Sequence, residues 1–228
     1  MLPSWPKLNS RITFAIARDK PLGVLIVEYN SKLSRVFHWD LTTDTFTPGQ
    51  FLKARANVLA ISADGKYFGY KAQSYRKGGE SYVCVAKLGW FTALAFFPYP
   101  VYFQSPIIHF LDSGDIFVYT ERDHPAWFKP AWLSIFAVAP DRVTPGFDHQ
   151  ILRDWNKKQP NLLEQWLERL GFKSSKAWDN QVNGRRRFFT KSNGLHSVDK
   201  LTGIQDLLAE FPKLPFEEIE PPDWAKEW

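Results

Sequence analysis

Short runs of alternating apolar and polar residues dominate the chain, and each run ends at a turn signal. Arg11–Ala17 places Ile12, Phe14 and Ile16 on one face, and Leu22–Tyr29 and Arg35–Asp40 follow as further strands. Thr42-Thr43-Asp44 predicts the next turn, because Asp and Thr side chains bond back to the local backbone. Thr45–Phe51 predicts a short edge segment, weakened by Pro48-Gly49. Val58–Ile61 and Lys66–Lys71 flank Ser62-Ala63-Asp64-Gly65. That is a hairpin signal, because Asp-Gly tolerates positive φ. Tyr82–Ala86 and Phe91–Phe97 come next, and Pro98 and Pro100 close the unit. Ile107–Leu111, the turn Asp112-Ser113-Gly114, Ile116–Thr120 and Trp132–Val138 make another round. The last is Phe172–Trp178, Arg185–Lys191 and Leu195–Asp199, with turns at Asn183-Gly184 and Asn193-Gly194.

One segment departs from this period. Leu162, Leu163, Trp166, Leu167 and Leu170 stand at helical spacing, with Gly171 just past the end. The spacing predicts one amphipathic helix over Asn161–Leu170 that caps the sheet.

Four segments look related: Leu8–Phe14, Ser62–Phe68, Leu111–Phe117 and Gln181–Phe188. Three carry Gly65, Gly114 and Gly184, at spacings of 49 and 70 residues. Units of a few antiparallel strands at such intervals are what propeller blades look like in sequence. Trp39-Asp40 at a strand end echoes the WD dipeptide. The expected fold class is all-β, mainly antiparallel and β-propeller-like, with about four or five irregular blades and one short helix. A β-sandwich with hairpins at similar intervals is the alternative. One domain over 1–228 is expected. Its acidic, Pro- and Trp-containing segment 205–228 would dock on the body through Phe216, Ile219, Trp224 and Trp228.

Composition strengthens the β reading. Ten Trp, 19 Phe and 8 Tyr make 16% of the chain, and rings favour half-buried pleated surfaces. A charged fraction of 23% excludes wholesale disorder. The net charge of +5 is uneven: from Gln205 onward there are seven acids and two lysines, so the preceding residues carry about +10. The acidic end is expected to pack on the basic surface and neutralise it. Cys84, the one cysteine, can make no internal disulfide and is expected as a reduced core thiol. With no signal-like start and no apolar run long enough to span a bilayer, a cytoplasmic, non-membrane protein is expected.

Four stretches carry a resemblance. They are Leu2-Pro3-Ser4-Trp5-Pro6-Lys7-Leu8-Asn9-Ser10-Arg11-Ile12 with Ile16-Ala17-Arg18-Asp19, Trp39–Phe51, Phe91-Thr92-Ala93-Leu94-Ala95 and Pro222–Trp228. Together they resemble a group of uncharacterised bacterial proteins of similar length with a propeller-like (WD40-like) repeat pattern and no established function. The resemblance implies a bacterial, cytoplasmic, propeller-like protein and supplies no catalytic residues.

Residue patterns that carry chemistry are mostly absent from the sequence. His38, His109, His124, His149 and His196 show no metal-binding spacing, and one cysteine builds no thiolate site. His38 reads as a satisfied strand residue. No Gly-x-Ser-x-Gly elbow and no phosphate-binding glycine loop occurs. Neither a catalytic residue, a metal nor a cofactor is expected. Arg185-Arg186-Arg187 beside Phe188-Phe189 could clamp phosphates. Alternation would put Arg185 and Arg187 on one side and Arg186 on the other, however, and Glu217 and Glu218 are available to pair with them.

Absence of motifs favours recognition over chemistry. The expected function is a non-enzymatic protein-binding module, in one form an immunity- or antitoxin-like inhibitor. Its candidate contact residues are Trp127, Phe128 and Lys129 in a Trp/Pro loop, Tyr99 and Tyr102, and Arg185 and Arg187. A hydrolase with loop carboxylates at the propeller mouth and a weak nucleic-acid binder are the alternatives. Another protein is the expected partner, and a second copy of the chain could complete an open half-ring.

Overall fold

In the computed structural model, which describes residues 11–30, 32–74, 81–99, 107–110, 116–119, 135–138, 180–212 and 214–227, the alternating runs become strands of four sheets. The first sheet is a meander of β1 (Arg11–Ile16), β2 (Leu22–Asn30), β3 (Leu33–Asp40) and β4 (Thr45–Leu52). The second repeats the plan with β5 (Arg55–Ile61), β6 (Tyr67–Gln73), β7 (Ser81–Lys87) and β8 (Ala95–Tyr99). The third holds β9 (Ile107–Phe110), β10 (Ile116–Tyr119) and β11 (Ile135–Val138), with β10 and β11 parallel. The fourth is β12 (Asn180–Asn183), β13 (Arg186–Lys191), β14 (Gly194–Asp199) and β15 (Gln205–Glu210), again antiparallel.

The turns follow local chemistry. Gly65 takes φ +74, and a Cβ there would meet Leu22 at 3.0 Å, so glycine serves both the turn and the close approach. Ser62 Oγ donates to Asp64 and accepts the N–H of Tyr67, which fastens the β5–β6 hairpin. Asp44 takes φ 55 in the β3–β4 turn, where Asp40 accepts the N–H of Thr42 at 2.7 Å. In the β13–β14 turn the left-handed residue is Ser192, not the expected glycine. Gly194 instead opens β14, because Leu207 comes within 2.8 Å of where its Cβ would stand.

The all-β, mainly antiparallel expectation holds, and so does the edge character of β4, whose pairing with β3 slips beside Pro48-Gly49. The propeller-like and WD40-like expectation does not. Among the described residues no strand pairs outside its own sheet. The result is separate open sheets, not blades radiating in a ring. The parallel β10–β11 pair also breaks the meander that a blade requires. Four sheets likewise exceed the two of a sandwich. Trp39, read as a WD echo, is a fully buried core residue. The helix expected at Asn161–Leu170 lies outside the described residues. The helix that is described is the single turn α1 (Asp223–Lys226).

Sheets one and two pack through Ala15, Val24, Ile26, Val36, Ala56 and Val58. The second sheet meets β9 through Val83, Val85, Phe97 and Ile108. A third cluster is aromatic and joins the first sheet to the last. Trp39 stacks on Phe46 at 5.4 Å and meets Phe14 and Phe188 edge-on at 6.2 and 4.8 Å. Arg186 seals this contact with two hydrogen bonds to Asp44, at 2.7 and 3.2 Å, and lies over the Phe188 ring.

The chain after β15 runs back across the first two sheets. Phe211 is buried against Phe37 and Phe46. Phe216 meets Phe51, with the Lys53 amine 4.2 Å above its ring. Gln50 donates to the carbonyl of Ile219, and Lys87 to that of Trp224. These contacts are apolar, cation–π and hydrogen bonds to backbone carbonyls, while Glu217, Glu218 and Glu220 are exposed to solvent.

Replacing Phe188 by Ala should leave a cavity beside Trp39 and cost about 3–5 kcal/mol. Urea denaturation would measure this, and a loss below about 1 kcal/mol would mean the aromatic joint contributes little.

Candidate functional site

Among the described residues, those singled out for recognition lie on different sheets. Tyr99 ends β8 opposite Ser81 on the second sheet, whereas the arginines belong to the fourth. Trp127, Phe128, Lys129 and Tyr102 lie outside the described residues, as do His124 and His149. Arg185 stands in the two-residue β12–β13 turn, and its guanidinium is ion-paired with Asp199. That bond, ahead of backbone N–H groups from Thr202 and Leu201, holds the Asp199 carboxyl well below the usual range. Arg186 is turned inward to Asp44, and Arg187 is exposed on β13. The acids that answer Arg185 and Arg186 are therefore Asp199 and Asp44, not the expected Glu217 and Glu218. Both pairs are formed by hairpin neighbours or by the joint between sheets, which residue order alone does not reveal.

The β14–β15 hairpin carries a feature that sequence reasoning missed. Leu201, Ile204 and Leu207 are 79%, 60% and 52% exposed. The turn beneath them is well fixed. Asp199 accepts the N–H groups of Leu201 and Thr202 at 2.8 and 3.0 Å, and Gly203 takes φ +72. Three large aliphatic side chains are thus held outward on an ordered hairpin. β15 is also the outer strand of its sheet, with Asp206 and Glu210 exposed along it. Such charges, with the slip in pairing at Leu195/His196, protect an edge from indiscriminate strand addition. The available signal was Leu201 and Ile204 flanking Thr202-Gly203, where a merely structural turn would be polar.

Other titratable groups are buried for packing. Tyr70 donates its hydroxyl to the carbonyl of Phe91 at 2.6 Å. Burial raises its pKa and pushes the free Cys84 thiol up to about 12, so Cys84 is no nucleophile at neutral pH. His38 sits in β3 as expected, but its Nε2 is buried without a partner, so it is not the satisfied residue the pattern suggests. Burial lowers its pKa below the ordinary 6.5, against the opposing field of Asp40. Among the described residues no group of His, Cys, Asp and Glu is arranged to hold a metal ion, and no helix is long and apolar enough to cross a membrane.

No family model, curated protein or solved structure matches the chain. The resemblance to WD40-like bacterial proteins thus finds no support in sequence or in fold.

His38 yields a pH prediction. The unfolded imidazole gains its proton near 6.5, whereas the folded one resists it. Its stabilising effect is complete above that value and is lost as pH falls towards the folded pKa. Tm should therefore drop between about pH 7 and about pH 5, and His38→Phe should flatten that slope. The lowered carboxyls of Asp40, Asp64 and Asp199 act in a separate window, below about 3.8. An unchanged slope in the variant would assign the drop to other groups.

Proposed function

We propose that this chain is a protein-recognition module of the cytoplasm that acts by contact and performs no chemistry of its own. One form it could take is an inhibitor that covers a partner's working surface. The observation that carries the reading is the trio Leu201, Ile204 and Leu207, held outward on a fixed hairpin at a sheet edge. Apolar side chains presented this way gain about 1.5–3 kcal/mol each on full burial against a partner. Their rigid backbone loses little entropy on binding. The surrounding Lys200, Asp206 and Glu210 give the polar rim that excludes water around such a centre. A buried Cys84 suits a reducing compartment.

The test compares wild-type protein with the double variant Leu201→Ser/Ile204→Ser, both in affinity capture from the native host and in titration of the captured protein. The substitutions lie on exposed side chains and should leave Tm nearly unchanged. A stoichiometric partner bound at least about tenfold more weakly by the variant supports the reading. No stoichiometric partner, or equal binding by both proteins, contradicts it.

A further inference from the structure

The segment after β15 fills a groove, and the way it is held describes what the groove takes. The floor lies where β4 meets the β7–β8 connection. Gln50 joins the two: its backbone N–H donates to the carbonyl of Gly89 at 3.2 Å, and its Oε1 accepts the N–H of Phe91 at 2.8 Å. Gly49 permits this approach, since a Cβ there would stand 2.0 Å from the Gly89 oxygen. Phe51 and Trp90 present their rings along the floor. Phe216 docks on Phe51 at 5.7 Å, with the Lys53 amine 4.2 Å from its ring. Trp224 meets Trp90 edge-on at 6.1 Å, with the Lys87 amine 5.7 Å from its ring.

Three features make this occupant replaceable. Its two ring anchors are only partly covered, with Phe216 39% and Trp224 54% exposed. Its backbone joins no sheet, and Pro212, Pro215, Pro221 and Pro222 withhold the N–H groups a ladder needs. Pro222, at φ −64 and ψ 159, has polyproline II geometry, which a chain holds without internal hydrogen bonds. Finally, Gln50 and Lys87 donate to its main-chain carbonyls, those of Ile219 and Trp224, which any peptide possesses. Aromatic grooves read proline-containing segments by this combination of ring pockets and carbonyl bonds.

Charge narrows the class of ligand. Arg35 is 8% exposed, lies over the same Phe51 ring at 4.4 Å and gives its Nε–H to the carbonyl of Gly49. Neither it nor Lys53 nor Lys87 forms an ion pair among the described residues. The groove is therefore cationic, and the segment lying in it carries the exposed acids Glu217, Glu218 and Glu220 between its two anchors. We propose that this groove binds an acidic, proline-containing peptide segment of a partner protein, with two aromatic anchors spaced as Phe216 and Trp224 are. Residues Leu214–Glu227 fill it in cis as a strap that such a segment displaces. Phe51 and Trp90 take the anchors, Lys53 and Lys87 hold them by cation–π contact, and Gln50 and Lys87 fix the backbone between and beside them. This surface is separate from the β14–β15 hairpin and does not depend on it.

The probe is a fluorescein-labelled peptide with the sequence of Leu214–Glu227. Its anisotropy is followed on titration with the full chain and with the full-chain variant Phe216→Ser/Trp224→Ser. In the wild type the strap competes in cis at an effective concentration on the order of millimolar. Expected is saturable one-to-one binding to the variant, at least about tenfold tighter than to the wild type. A probe carrying Glu217→Gln, Glu218→Gln and Glu220→Gln should bind the variant at least about threefold more weakly, and added salt should narrow that gap. No saturable binding by the variant, equal affinity of wild type and variant, or equal affinity of the two probes would each overturn the proposal. Each single variant, Phe216→Ser or Trp224→Ser, keeps the other anchor and should still gain at least about threefold, so the test stands even if the double variant fails to fold.

Discussion

Trp39 is wholly buried where the first sheet meets the last, and its indole touches three other rings. Its Nε1–H has no partner there. That omission costs about 1–3 kcal/mol. Aromatic contacts contribute about 0.5–1.5 kcal/mol each beyond the area they bury, so three of them offset the loss. Arg186 adds a partly buried, two-bond pair with Asp44 on the rim. The segments so joined are about 150 residues apart in sequence. Phe211 extends the same cluster through Phe37 and Phe46. From it the chain is directed across β4, with Phe216 on Phe51 and Trp224 beside Trp90.

The parts legible in sequence are those governed by neighbours along the chain. Alternation located most of the described strands, and Asp64-Gly65 and Asn183-Gly184 marked real hairpins, with positive φ at both glycines. β15 was missed because Gln205-Asp206-Leu207-Leu208-Ala209-Glu210 neither alternates nor favours strands. Pairing with β14 makes it one. Spaced hairpins suggested a closed ring, yet hairpin spacing says nothing about how one sheet meets the next. The parallel pairing of β10 with β11 is a long-range choice of the same kind.

The candidate sites show the same limit. The run Arg185-Arg186-Arg187 reads in sequence as one basic block, but two of its members are committed to Asp199 and Asp44. The cations whose fields do meet, Arg11, Arg55 and Lys71, stand on β1, β5 and β6, where no basic run exists. The exposed hairpin apolars were hidden for the opposite reason. Leucine and isoleucine read as core until burial shows them outside.

Native-state hydrogen exchange measures that joint most directly, since it reports whether sheets open together or apart. If Trp39 and its ring partners bind the first and last sheets into one unit, the most protected amides of β2 and β14 should exchange with the same opening free energy. Opening of β14 several kcal/mol more easily than β2 would contradict this, and would make the last sheet an appendage rather than part of the core.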